Sequence, residues 1–165
     1  MKRIVLMLIT ATTLFVSCSS DKENEGSDAN DIVGTWDLVG LEIDETTATD
    51  DEEFAKELLD FLSALDCYIL TYTFNADGSV ISENKGNYLE VSANPEGTGL
   101  DIPCPTEKDT EVDEYVFDGE TLTYIDETGE TDVSVEIMGN TIRIDATDLD
   151  VDNLDDGGTL IFARR

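Results

Sequence analysis

The chain has no histidine in its 165 residues. That absence removes Ser-His-Asp and Cys-His catalysis, imidazole proton transfer and every metal site built on histidine. Basic residues are scarce too: nine lysines and arginines stand against 39 aspartates and glutamates, for a formal net charge of −30. Such a charge repels nucleic acid and anionic head groups, and no basic patch exists for phosphate contacts, so nucleic-acid binding is excluded. The acidity reads as a solvated outer surface ahead of a specific cation-binding role. With 39 acids present, no pair stands out as the two carboxylates of a glycosidase. Long apolar runs are missing as well. The longest, from Ile4 to about Val16, falls short of the roughly 20 residues that span a bilayer.

That run belongs to "MKRIVLMLITATTLFVS", residues 1–17, where Lys2 and Arg3 precede a short apolar stretch and then small residues. This is the pattern of a secretory signal. Phe15-Val16-Ser17-Cys18 resembles a bacterial lipobox, in which a small residue precedes a cysteine that receives diacylglycerol, although Phe15 stands where leucine is usual. The alternative is ordinary signal cleavage with an incidental cysteine. The resemblance implies a lipid anchor on Cys18, which becomes the first residue of the mature chain. Removing residues 1–17 takes away two basic residues and no acid, which moves the formal charge from −30 to −32.

Residues 18–31 then fit a tether. "SSDKENEGSDAND" holds no apolar residue larger than Ala29, so it cannot bury enough surface to offset its ordering entropy. As a flexible coil it spans on the order of 20 Å. Acids just after a lipidated cysteine resemble the signal that sends some lipoproteins to the outside of the outer membrane. Lys22 interrupts them, and both the cell exterior and the periplasm stay open as destinations.

Of the three cysteines, Cys67 and Cys104 remain after lipidation. In an oxidising compartment such a pair reads as a disulfide. Closing a loop of about 38 residues contributes roughly 4 kcal/mol in the chain-entropy model. A reactive thiol would want a cationic neighbour, whereas Cys67 follows Asp66 and Cys104 lies between Pro103 and Pro105.

Residues 32–165 suffice for one domain with its own core. "IVGTWDLVGLEI" opens it as a strand. In "CYILTYTF" Tyr68, Leu70, Tyr72 and Phe74 share one face by alternation, and Asn75-Ala76-Asp77-Gly78 turns the chain into a return strand over Ser79–Glu83. "EYVF" passes through Asp118-Gly119 into "ETLTYID", "VSVEIM" through Gly139-Asn140 into "TIRIDA", and "TLIFARR" closes the chain. Weaker strand material lies around Tyr88 to Val91. Short antiparallel strands with tight turns predict a barrel or sandwich, and the brevity of the turns favours up-and-down connections. One segment, "TDDEEFAKELLDFLSAL", is helical instead: Phe54, Leu58, Phe61, Leu62 and Leu65 recur at helical spacing, and Thr49 with Glu52 fits a capping box. Its apolar stripe is expected to lie on the barrel, across a mouth or along a wall, as a fixed plug or a mobile lid.

Gly34-Thr35-Trp36 on the first strand resembles the G-x-W signature of lipocalins, and "YTFNADGSV" is similar to a hairpin of lipocalin-like bacterial lipoproteins. Taken together, these motifs resemble a lipocalin-like (calycin-type) lipoprotein of Gram-negative bacteria over residues 32–165. The resemblance implies an all-β fold, an eight-stranded antiparallel up-and-down lipocalin-like barrel with one amphipathic helix inserted after the first strand. It also implies a Cys67–Cys104 pair, and a basic residue of the last strand, Arg164 or else Arg165, packed over Trp36. Tyr68, Leu70, Tyr72 and Phe74, with Leu122 and Tyr124, are the candidate pocket lining; the same residues would equally make a dry core.

Asp148, Asp150 and Asp152 are spaced like the start of a calcium loop, but Asn153 and Thr159 stand where an EF-hand wants glycine and glutamate. No metal and no cofactor are expected. The expected function is non-catalytic binding of a small apolar or amphipathic molecule by a monomer, anchored to the outer membrane through lipid on Cys18. The rivals are a solid-barrel interaction module contacting protein or glycan through its loops, and an enzyme working with carboxylates alone.

Overall fold

The computed structural model describes residue 28 and residues 31–95, 97, 99–126, 129–149 and 157–165. The signal segment, Cys18 and nearly all of the tether lie outside the described residues, as do Asp150 and Asp152 of the acidic loop.

Strand β1 (Gly34–Glu42) leads into helix α1 (Asp50–Ala64), followed by β2 (Leu70–Phe74) and β3 (Ser79–Asn84). Two short strands, β4 (Ser92–Ala93) and β5 (Leu100–Asp101), interrupt the passage to β6 (Asp109–Phe117). The chain ends with β7 (Thr121–Ile125), β8 (Glu130–Met138), β9 (Thr141–Asp145) and β10 (Thr159–Arg164). Eight of these strands close into an antiparallel barrel in the order β1-β10-β9-β8-β7-β6-β3-β2, and β4 pairs with β5 in a ribbon of its own. Each barrel strand thus pairs with its neighbour along the chain, with β10 returning to β1.

The direction of the strands gives the barrel two unlike ends. The β2–β3, β6–β7 and β8–β9 turns share one end with the start of β1 and the end of β10. These turns are tight for local reasons. Gly78 donates its N–H to the Asn75 carbonyl at 3.1 Å with φ +86°, a conformation only glycine adopts without strain. The Asp118 carboxylate accepts from the N–H groups of Glu120 and Thr121, an Asx arrangement that holds the turn. The other end carries every long connection: α1, the β4–β5 segment, and the passage from β9 to β10.

Inward residues pack the turn end solid. Trp36, Leu122 and Ile32 are fully buried, with Phe162, Val80, Val133 and Ile142 almost so. Phe74 meets Tyr115 edge to face at 5.0 Å, and Tyr72 lies 5.6 Å from Phe162. A second, smaller cluster forms beside the barrel from Leu62, Cys67 and Ile102. It is stapled by the Cys67–Cys104 disulfide, which ties the chain before β2 to the chain before β6.

The helix begins as its sequence dictates: the Thr49 hydroxyl accepts from the Glu52 N–H, and the Glu52 carboxylate accepts from the Thr49 N–H. Its buried face differs from the expected stripe. Leu59 and Leu62 are buried, whereas Phe54, Phe61 and Leu65 are exposed. The apolar residues cover two adjacent faces, and only one can meet the barrel. The strand material expected at Tyr88–Val91 is also absent: Gly86–Tyr88 is a single 3-10 turn, and the ribbon begins at Ser92.

Candidate functional site

The turn end is closed by Arg164. Its guanidinium lies 4.1 Å above the Trp36 ring, because Trp36 and Arg164 are register partners across the β1–β10 pair. The guanidinium also donates to the carbonyls of Val33 at 2.7 Å and Asp31 at 2.5 Å. The indole N–H donates to the Ile32 carbonyl at 2.7 Å. Residues 31–33 are thereby laced across the barrel's end. Gly34 is part of the same device: a Cβ there would lie 2.8 Å from an Arg164 guanidinium nitrogen, and its φ of +141° disfavours any side chain. The tripeptide Gly34-Thr35-Trp36 thus supplies both the gap and the ring that Arg164 occupies.

Arg165 has a separate task. It grips Asp37 through two hydrogen bonds of 2.9 and 2.6 Å, while the Thr71 hydroxyl donates to the same carboxylate at 2.7 Å. Asp37 is buried although it faces outward from β1. Tyr68 belongs to this outer surface. Its hydroxyl donates to Asp66 and it feels the charges of Asp37 and Arg165. The expectation that Tyr68 points inward is therefore corrected: β2 begins only at Leu70, and the alternation does not extend back to residue 68. Phe74 and Leu122 face inward but belong to the packed core, not to a cavity wall.

Leu70, Tyr72 and Tyr124 do line open space. At the long-loop end the barrel holds a cavity of about 590 Å³, walled by Leu38, Leu41, Leu70 and Leu160 and roofed on one side by Ala55, Leu58 and Leu59 of α1. A second lobe of about 370 Å³, open to solvent and rimmed by Asp126, Thr131 and Asp148, reaches Tyr124, Val80 and Val133. The two lobes share Tyr72, Ser82, Glu111 and Leu149. A larger cleft of about 970 Å³ at the turn end is a surface trough, lined chiefly by β8 and the residues around it; the Arg164 that borders it is already committed to Trp36 and two carbonyls.

The mouth contains residues that pattern reading misses. Strand β6 starts at Asp109, five residues ahead of "EYVF". Its cavity face carries Asp109, Glu111 and Asp113 before Tyr115 and Phe117, while Val112 and Val116 point to solvent, 66% and 58% exposed. The usual polarity of a barrel strand is inverted here. The D-x-E-x-D spacing ahead of Tyr115 was the available signal.

Tyr124 carries a second anomaly. Its hydroxyl is buried without a hydrogen-bond partner among the described residues, at a cost of about 1–3 kcal/mol for an unsatisfied group. Burial pushes this hydroxyl well above its ordinary value, and the nearby Tyr72 and Asp113 raise it further; Tyr72 approaches without reaching hydrogen-bond geometry. Burial likewise raises Tyr72; the neighbouring Tyr124 hydroxyl offsets part of that shift, and Glu111 and Asp113 add to it.

Asp148 accepts from the Ser134 N–H, and among the described residues no group of three acids or cysteines is placed to hold a metal ion. Nor is any described helix long and apolar enough to cross a membrane. Comparison with protein-family models, curated proteins and solved structures finds no match for this chain.

Proposed function

We propose that the protein is a membrane-anchored lipocalin-like lipoprotein, held through lipid on Cys18, that binds a small apolar or amphipathic molecule in the barrel mouth without catalysis. The observation that supports this reading is the cavity of about 590 Å³ between the barrel and α1, within the range of small-molecule sites. A solid barrel would have continued the packing of Trp36 and Phe162 up to the helix; here leucines and Tyr72 surround open volume instead. The described chain enters at the turn end, so the mouth opens at the end opposite the tether. Native mass spectrometry of protein purified gently from its own host tests the binding: a retained small molecule is expected, and a bare polypeptide mass across several preparations would count against it. The anchor is tested separately by Cys18→Ala, which should release the protein from membranes.

A second reading has an observation of its own. Phe54 and Phe61 on α1 and Leu65 at its C-terminal cap are exposed, as an interaction module that contacts a protein through the helix would require. Phe61→Ser would weaken such an interaction and leave the cavity untouched.

A further inference from the structure

The inner face of β6 carries acids at its half-buried to exposed mouth end, where it continues the line of buried aromatics. Positions 109, 111 and 113 alternate onto the same side as the buried Tyr115 and Phe117, yet all three are carboxylates. Asp109 is occupied by Asn87 and Tyr88. The Glu111 and Asp113 side chains make no hydrogen bond or ion pair with any described residue, and among the described residues no lysine or arginine lines either lobe of the cavity. Beside them sits the unpartnered hydroxyl of Tyr124, buried in the lobe that Asp113 also borders. Two unpaired carboxylates, one unsatisfied hydroxyl and two tyrosine rings thus converge at one end of an otherwise leucine-rich pocket.

Resting on the pocket reading above, we infer that the guest is an amphipathic organic cation, an alkyl or aryl amine whose ammonium group lies between Glu111, Asp113 and the Tyr124 hydroxyl. An ammonium N–H supplies the donor that the tyrosine oxygen lacks, and its charge offsets the two carboxylates. The faces of Tyr72 and Tyr124 favour a cation further. The hydrocarbon part extends along Leu38, Leu41, Leu70 and Leu160 toward α1. A fatty acid or other anion would instead meet like charge at the same point.

Octylammonium, octanol and octanoate share one chain and differ in charge, and calorimetry on the full chain compares them directly. Octylammonium should bind at least about tenfold more tightly than octanol, as two partly exposed carboxylates allow, and octanoate should be weakest. The preference should collapse near 1 M salt, where the screening length is about 3 Å. It should also be lost in Glu111→Gln/Asp113→Asn while octanol affinity is kept. The outer-face control Glu114→Gln/Glu130→Gln removes the same charge and should keep the preference. If octanol and octanoate bind as tightly as octylammonium, or the preference survives the inner-face substitutions, the cation inference is overturned and the pocket stands. If none of the three binds, the pocket reading falls and takes the inference with it.

Discussion

Arg165, the last residue of the chain, invites the view that it is a loose surface charge; its partner says otherwise. The Asp37 side chain is 5% exposed and the Arg165 side chain 59% exposed. Removing the arginine strands a buried carboxylate with the Thr71 hydroxyl alone. Breaking a buried pair costs about 3–5 kcal/mol, and the exposure of the guanidinium trims this to about 2–3 kcal/mol for Arg165→Ala. Asp37→Asn should cost less, about 1 kcal/mol, because the amide keeps the shape and Arg165 can still reach water. The decisive sign concerns the pair: Arg165→Ala/Asp37→Asn should be more stable than Arg165→Ala alone, since it no longer buries an unpaired charge. Urea unfolding of the four proteins at pH 7, followed by tryptophan fluorescence, measures the cycle. An Arg165→Ala variant within about 0.5 kcal/mol of wild type, the range of an ordinary surface pair, would refute the reasoning. So would a double variant less stable than either single one.

The remaining predictions are more local. Gly34→Ala drives a Cβ against Arg164 and adds backbone strain, so it should destabilise by about 3 kcal/mol and alter the emission of the lone tryptophan; an unchanged spectrum and stability would contradict it. Tyr124→Phe should stabilise the empty protein by about 1 kcal/mol by removing an unsatisfied hydroxyl, and a loss of that size would mean the hydroxyl is satisfied. All five tyrosines are held above their ordinary value of 10.0, Tyr68, Tyr72, Tyr115 and Tyr124 chiefly by burial and Tyr88 by its hydrogen bond to Asp109. The folded state keeps protons that the unfolded chain releases, so this contribution is intact below pH 10 and is lost as pH rises beyond it. A stability that is flat through that range in an alkaline unfolding series would oppose the assignment.

Legibility in the sequence followed burial polarity. Strands β9 and β10 alternate between buried and more exposed positions, and alternation alone marks them. The first half of β6 was illegible for the opposite reason: its acids face the mouth and its valines face water, so the pattern reads as a charged loop. Strand β8 likewise begins at Glu130, not Val133, because its first residues lie at the rim where burial imposes no pattern. Helix α1 announced its start through the capping box but not its buried face. Two apolar stripes compete in its sequence, and only tertiary contact with β1 decides between them. Tyr68 was misplaced because alternation was carried past the true start of β2 at Leu70.

The two ends of the barrel divide its requirements. At the turn end Arg164, Trp36 and Gly34 interlock with residues 31–33, and Arg165 with Asp37 fastens the last residue of the chain to the first strand. Closure is thus secured where β1 and β10 meet, by contacts that involve none of the mouth residues. The mouth can then hold a buried unsatisfied hydroxyl and two unpaired carboxylates that reach solvent, without endangering the fold. If filling the inner face had been the only demand, phenylalanine at 124 would serve better and apolar residues at 111 and 113 would continue the line of Tyr115 and Phe117. Their polar replacements cluster in one place, beside the same cavity, and such local departures from the burial pattern are where function is expected to reside.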